Sequence, residues 1–514
     1  MTETMPDVRS LAVLGLGRSG RAAALLARRE LPAGELFAID AKDETELGTA
    51  PAELRSAGAV LLLGAAAVLP AGVELLVKSP GVPNSSPVVA AALARGVAIW
   101  SEVEFAARFL ANRWIAITGT NGKTTTTELT GQILSDAGLS VEVAGNVGRA
   151  LANLPGAIDP RAVVVAELSS FQLEHIVSFR PDVAVLLNLT EDHIDRHGSF
   201  SGYVDAKLRV FENQTPADLA LLNADDPGTA AVAAAGLPGR ARRGAFSLAE
   251  RGLALGRGAR GNGPTLDRSA REERPTLDHG ARGESGASRQ AAAVETAPPL
   301  AGVTDGMLWL QGDAGREGLC PVGELALRGE HNVANSLAAA AAAAALGVAT
   351  PHIAATLRSF GGVAHRLQVV GIVDGVTWVN DSKATNVDAA LKALTAYSGP
   401  VHMILGGSLK GASFDALAEA TEGRIKEAIL IGAAAAPLRE AFERRRVAVG
   451  RRATPYVVLG DLEAAVGHAA TAAEAGDVVL LSPACASFDQ YGNFEQRGDH
   501  FAELVRRLQE QRAR

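Results

Sequence analysis

Gly119-Thr120-Asn121-Gly122-Lys123-Thr124, with Thr125 following, combines a glycine-rich turn, a lysine and a hydroxyl. Backbone N–H groups of such a turn cradle phosphate oxygens. The lysine ammonium adds charge at the β and γ phosphates, and a threonine hydroxyl is a hard oxygen ligand suited to Mg²⁺. The glycine spacing is about two residues shorter than the common phosphate loop, G-x-x-x-x-G-K-[ST]. A second pattern, Gly15-x-Gly17-x-x-Gly20, is followed by Asp40. It suits a diphosphate at a helix start and a ribose at a strand end, for NAD or another nucleotide, or turn packing alone.

Acidic and imidazole groups come next. Glu167 follows one apolar run, and Asp192, His193 and Asp195 follow another. At strand ends facing a ligand crevice they could hold metal ions bridging ATP to a second substrate. Lys207 alone reads as a solvated helix lysine, and Asn146 alone as a turn residue. Asn332 and Asn335 stand one helical turn apart. Short polar runs after apolar strands recur at His365-Arg366, at Asp381 to Asn386, at Gly406 to Lys410 and at Ser482 to Asp489. Several such loops at successive strand ends point to a binding site. Cys485, with no basic neighbour in sequence, reads as a buried small residue.

The elements that must position these groups alternate apolar runs with alanine-rich helices, an α/β pattern with a mainly parallel sheet. Strands are expected at Leu11–Gly15, Leu36–Ile39, Val60–Leu63 and Glu74–Val77. The pattern restarts at Trp114–Thr118, Val163–Ala166 and Val183–Leu187, and again at Val376–Val379, Val401–Leu405, Glu427–Ile431 and Val478–Leu481. The expected organisation is three α/β domains in series: residues 1–110, 111–328 and 329–514. Residues 248–300, rich in Gly, Arg, Ala and Glu with an imperfect Pro-Thr-Leu-Asp duplication, read as a disordered surface insertion.

Composition bounds the function. The 514 residues are 47% hydrophobic but only 4% aromatic, so Ala, Val and Leu do most of the packing. A net charge of -8 argues against nucleic acid as a main partner. Two cysteines far apart give neither a disulfide framework nor zinc spacing. No signal peptide or membrane-length apolar run is seen, so a cytoplasmic protein is expected, with no membrane partner.

In chain order, GTNGKTTT, ELSSFQLE, NLTEDHIDRH, YVDAKLRVF, GEHNVAN, HRLQVV, DSKATN and SPACASFDQYGNFEQRG together resemble the Mur ligase family, and within it the branch that adds D-glutamate. The resemblance covers nearly all of the chain outside the insertion. It implies a Rossmann-like first domain, a central P-loop ATPase domain and a Rossmann-like third domain. It also implies an acyl-phosphate mechanism using ATP, D-glutamate and UDP-N-acetylmuramoyl-L-alanine, with Mg²⁺ at two sites, and a monomer. By motif match, Gly119, Thr120, Asn121, Gly122, Lys123, Thr124, Thr125, Asn332, Arg366, Asp381 and Lys383 would bind ATP. Thr124, Glu167, His193 and Lys207, the last as a carbamate, would hold the metals. Arg18, Ser19, Asp40, Ser79, Gly81 and Asn146 would bind the uridine nucleotide, so the first glycine pattern would hold UDP and not NAD. Thr385, Lys410, Ser487 and Phe494 would form the D-glutamate pocket. Ser408 and Leu409 depart from the family, where an acidic residue often precedes the lysine. The same motifs leave open another amino-acid-adding Mur ligase or a folylpolyglutamate synthase. An NAD-dependent oxidoreductase would leave the Lys123 loop unexplained, and a catalytically dead nucleotide-binding protein lacks a missing residue to support it.

Overall fold

The computed structural model describes residues 8–249, 299–312, 315–327, 329–397, 399–409, 413–450 and 453–512. Most of the insertion expected at 248–300 therefore lies outside the described residues, as does Lys410. Two compact units are present, Met1–Phe360 and Gly361–Arg514, and the described residues form three sheets.

The first sheet is parallel. It contains β1 (Ser10–Leu14), β2 (Glu35–Asp40), β3 (Val60–Leu63), β4 (Leu75–Lys78) and β5 (Ala98–Ser101), in the order β3-β2-β1-β4-β5. The order reverses beside β1, so the crevice at its C-terminal end lies at a topological switch point. Gly20, in the helix Arg18–Glu30, sits directly against the preceding loop. A Cβ there would lie 1.7 Å from the Gly15 carbonyl oxygen, so only glycine lets helix and strand approach this closely.

The second sheet contains β6 (Arg113–Thr118), β7 (Val141–Gly145), β8 (Val163–Glu167), β9 (Val183–Leu186), β10 (Leu219–Asn223), β11 (Arg242–Ser247), β12 (Pro299–Thr304), β13 (Met307–Gly312) and β14 (Gly315–Pro321). Its order is β14-β13-β12-β11-β10-β9-β6-β8-β7, parallel except for the antiparallel pairs β12–β13 and β13–β14. Side chains alternate across β6. Ile115 and Ile117 pack with Ile133 and Leu337 on one face. Trp114 and Ala116 pack with Phe179 and Val210 on the other.

That second face is continuous with the first sheet. Leu11, Val13 and Val77 belong to the same core as Ala116, Leu151 and Val164. The boundary expected at residues 110–111 lies in the link between the helix Glu102–Ala107 and β6, where the two sheets pack on one core. The third unit, expected to open at 329, opens as a compact body at Gly361. The physical reason is burial. In the helix Glu330–Ala345, residues Leu337 to Ala343 are at most 3% exposed and pack with β6, β9 and β10 side chains. The alanine run is a close-packing face for the second sheet.

The third sheet contains β15 (Gln368–Val373), β16 (Val376–Asn380), β17 (Val401–Gly406), β18 (Ile425–Ile431), β19 (Tyr456–Val458) and β20 (Val478–Leu481), in the order β15-β16-β20-β17-β18-β19. It is parallel except for the edge pair β15–β16.

Candidate functional site

The loop after β6 is tightly held. Gly122 caps the helix Lys123–Asp136 at φ +82, and a Cβ there would approach Asn335 Oδ1 to 2.4 Å. Asn188 Oδ1 accepts from the N–H groups of Thr120 (3.1 Å) and Asn121 (2.7 Å), and its Nδ2 donates to Asn121 O (3.0 Å). Lys123 Nζ folds back onto the carbonyls of Gly119 (3.0 Å) and Thr120 (2.8 Å). The Thr124 hydroxyl donates to Glu167 Oε2 at 2.7 Å, and Asn146 Nδ2 donates to Glu167 Oε1 at 2.8 Å. Thr124 and Glu167 therefore place a hydroxyl and a carboxylate together at the first turn of the helix. This hard-oxygen pair fits Mg²⁺.

Lys207 is not the solvated lysine that its segment suggests. The helix Phe200–Leu208 carries Tyr203 and Lys207 one turn apart, on one face. Tyr203 Oη lies 2.9 Å from Thr120 Oγ1, and Lys207 Nζ donates to Gly119 O at 2.8 Å. Lys207 is 2% exposed, and its Nζ sits 4.6 Å over the Tyr203 ring. Burial, then the charge of Lys123, pull its pKa from 10.5 down to about 7, with Asp192 and Glu167 opposing. Lys123, Glu167, Asp192 and Lys207 thus share one electrostatic site. His193 begins the short helix Ile194–His197 at φ 53, half-exposed, 3.6 Å from Asp192 and against the Phe171 ring. Among the described residues no three His, Cys, Asp or Glu side chains converge as a metal set. The donors gathered at the loop are instead Thr124, Glu167 and the Lys207 amine.

Two cavities flank this loop. One, of about 420 Å³, is lined by Gly15, Gly17, Arg18, Ser19, Asp40, Ser79, Gly81 and Asn146 among others. All six residues assigned from sequence to the uridine nucleotide meet there. Asp40 does double duty: its Oδ2 accepts from Leu16 N–H (2.6 Å) and its Oδ1 from Lys42 N–H (2.9 Å). Each oxygen can accept a further donor. Arg18 donates to Asn146 O at 3.1 Å, and Asn146 reaches Glu167, so this cavity and the phosphate loop are joined through one residue. The other cavity, of about 220 Å³, is lined by Asn121, Gly122, Asn188, Phe246, His331 and Asn335 among others. Of the pair Asn332 and Asn335 noted in the sequence, Asn335 lines the cavity, donating to Asn332 Oδ1 at 3.2 Å.

The second unit gathers its own polar loops at strand ends. Asp381 follows β16. It accepts from the Ser482 hydroxyl (2.8 Å) and the Leu367 N–H (3.2 Å). Burial raises its pKa to about 6, against these bonds and the charges of Arg366 and Lys383. Arg366 is exposed, Lys383, Thr385 and Phe494 half-buried, and Ser487 buried. Ser408 donates to Asp489 Oδ1 at 3.5 Å, so a carboxylate does reach the loop that lacks its own. Cys485 is buried, as expected.

Arg497 was not singled out from sequence, and it organises these loops. It is 2% exposed, donating to Ser382 Oγ (2.9 Å) and to the carbonyls of Ser382 (2.9 Å), Cys485 (3.1 Å), Ala486 (3.2 Å) and Gly406 (3.4 Å). Burial pulls its pKa down to about 10. One side chain thereby ties together the ends of β16, β17 and β20. In sequence it stands, without a role of its own, next to last in the run SPACASFDQYGNFEQRG.

Residues 117–244 match the Mur ligase middle domain, and residues 365–485 match the Mur ligase, glutamate ligase domain. Three similar proteins, each called UDP-N-acetylmuramoylalanine–D-glutamate ligase, come from Acidobacterium capsulatum, Myxococcus xanthus and Solibacter usitatus. The first is 39% identical, with 97% of this chain and 96% of that protein covered. The second is 39% identical, with 97% and 98% covered. The third is 40% identical, with 98% and 99% covered.

Proposed function

The chain belongs to the UDP-N-acetylmuramoylalanine–D-glutamate ligase family, and from that premise we propose that it is an ATP-dependent ligase that joins D-glutamate to UDP-N-acetylmuramoyl-L-alanine in the cytoplasmic synthesis of peptidoglycan precursors. The observation that carries this reading is the link Thr124–Glu167–Asn146. It joins a phosphate loop to a cavity lined by the uridine-nucleotide set, which is what phosphorylation of a nucleotide-linked carboxylate requires.

In the proposed reaction the terminal carboxylate of the nucleotide substrate attacks the γ-phosphorus of ATP, and the bond to ADP breaks. The D-glutamate amine then attacks the resulting acyl phosphate. The C–O bond to phosphate breaks, one proton is released, and the phosphate leaves with an oxygen from the carboxylate. Charge neutralisation and positioning supply most of the rate. Lys123 serves the transferred phosphate, and the N–H groups at the start of the helix Lys123–Asp136 cradle it. Arg18, Ser19, Asp40, Ser79, Gly81 and Asn146 hold the nucleotide substrate. Asn332 serves ATP from the helix that carries Asn335. In the second unit, Arg366, Asp381 and Lys383 serve ATP, and Thr385, Lys410, Ser487 and Phe494 serve D-glutamate.

Magnesium, held by Thr124 and Glu167 at one position and by His193 and a Lys207 carbamate at another, would neutralise phosphate charge. Lys207 suits carbamylation because its amine is neutral in a large fraction of molecules near pH 7. A neutral amine can add to CO₂, forming an N–C bond and losing a proton.

The test of the intermediate is isotopic. Substrate labelled with ¹⁸O in its carboxylate should yield phosphate carrying one ¹⁸O, and Lys123→Ala should release none. Unlabelled phosphate would overturn the acyl-phosphate route.

A further inference from the structure

Three buried charged side chains stand between the nucleotide cavity and the segment that carries His193. Lys78, the last residue of β4, is 1% exposed. Glu174, which follows the short helix Ser170–Leu173, and Arg196 have side chains 7% and 12% exposed. Lys78 Nζ donates to Glu174 Oε2 at 3.0 Å. Arg196 donates to the same carboxylate, at 3.0 Å to Oε2 and 3.3 Å to Oε1. Both cations also donate to the Val82 carbonyl, each at 2.9 Å. The two cations thus share two acceptors, one a carboxylate and one a backbone oxygen.

These acceptors belong to different sheets. Val82 closes the turn that follows β4, where its N–H donates to Ser79 O at 3.1 Å. Ser79, Pro80, Gly81 and Val82 all line the cavity that takes the nucleotide substrate. Glu174 follows β8 of the second sheet and is a fixed post: Arg209 donates to its carbonyl at 2.6 Å and to that of Ile176 at 2.5 Å. Arg196 lies in the short helix that His193 begins, and its N–H donates to His193 O at 3.1 Å. Its guanidinium stands 4.4 Å over the Phe171 ring, and that ring meets His193 at 4.8 Å between centroids.

Stability alone is a weak reason for such a triad, because apolar residues of similar volume often serve a core as well or better. Burial would raise the pKa of Glu174, yet Arg196 and Lys78 hold it below the usual carboxylate range. Burial pulls Lys78 down, with Glu174 opposing. What the triad adds over an apolar cluster is direction: charged hydrogen bonds fix a turn of one sheet against a segment of the other.

We propose that Glu174, acting through Lys78 and Arg196, is a positioning residue that sets the turn Ser79–Val82, and with it the nucleotide substrate, against the segment that carries His193. The inference rests on the ligase reading given above. Removing the Lys78 amine loosens the turn alone, because Glu174 keeps Arg196. Removing the Glu174 charge releases both pieces and leaves two buried cations facing each other.

The test separates binding from turnover. Calorimetric titration of the full-length protein with UDP-N-acetylmuramoyl-L-alanine should show affinity at least about 10-fold weaker in both Lys78→Met and Glu174→Gln, the scale of one charged hydrogen bond. In the phosphate-release assay Glu174→Gln should also lose kcat by at least about 10-fold, as misplaced reactants do, whereas Lys78→Met should change kcat by less than about threefold. The KM for D-glutamate should stay within about twofold of wild type in both variants. A merely structural role would lower the active fraction and leave every KM and Kd unmoved. Unchanged nucleotide affinity in Lys78→Met, or a KM for D-glutamate that rises in step with it, would overturn the proposal, and Lys78→Met alone decides if Glu174→Gln does not fold. A wild type that binds the nucleotide but releases no phosphate with D-glutamate would overturn the ligase reading instead, and the titrations would still decide the positioning.

Discussion

Replacing Lys207 with methionine removes an amine held 2% exposed beneath the phosphate loop. In the folded protein its pKa stands at about 7 instead of 10.5. At about 1.4 kcal/mol per unit, the fold disfavours the protonated form by about 5 kcal/mol. Between pH 7 and 10.5 the unfolded chain holds a proton that the native protein does not. Wild-type stability therefore rises with pH through that window and is lowest, for this group, below pH 7. Methionine carries no such term. The stability advantage of Lys207→Met over wild type should therefore be largest below pH 7 and shrink by about 2 kcal/mol between pH 7 and 9. Guanidinium unfolding of both proteins in parallel, in bicarbonate-free buffer at pH 6, 7 and 9, measures it. An advantage that stays constant across pH 7 to 9 would refute the claim that Lys207 is neutral in the fold, and with it the case for carbamylation.

Other outcomes follow from the same geometry. Asp381 has its pKa raised to about 6, so its contribution to stability is full below its unfolded value and is lost as pH rises through 6; Asp381→Asn should gain on wild type by about 2 kcal/mol between pH 4 and 6.5, read by denaturant unfolding. Arg497→Lys keeps the charge but cannot reach all of its acceptors. The KM for D-glutamate should rise about 10-fold or more with the KM for the nucleotide substrate unchanged, the scale of one charged hydrogen bond. Gly122→Ala forces a side chain into a left-handed position against Asn335. ATP affinity, measured by titration, should fall about 10-fold, from a backbone cost of about 1–2 kcal/mol and displacement of that amide.

The parts legible in the sequence were those whose signal is local. The run Trp114–Thr118, the glycine turn and Lys123-Thr124 predict a strand, a phosphate loop and a helix start, and the structure has them in that order. The residues that the resemblance assigns to a uridine nucleotide, spread from Arg18 to Asn146, line one cavity because they stand at strand ends and helix starts on the same sheet edges. What was not legible depends on distant partners. Lys207 reads as a surface lysine until Gly119 and Tyr203 close over it. Asn188 matters only because the loop folds onto it. Arg497 gains its role from carbonyls up to 115 residues away. Strands such as Arg242–Ser247 and Gly315–Pro321, polar and glycine-bearing, give no period-2 signal and are specified by their neighbours in the sheet. The alanine helix after Gly329 looked like the start of a unit because motifs follow it, whereas its burial assigns it to the second sheet.

The most direct test of the central claim is phosphate release by the purified protein with ATP, Mg²⁺ and UDP-N-acetylmuramoyl-L-alanine, offered D-glutamate, L-glutamate, L-lysine or meso-diaminopimelate. Release that requires both the nucleotide substrate and D-glutamate, and is lost in Lys123→Ala, is the predicted result. Release driven by a different amino acid, or none with D-glutamate, would contradict it.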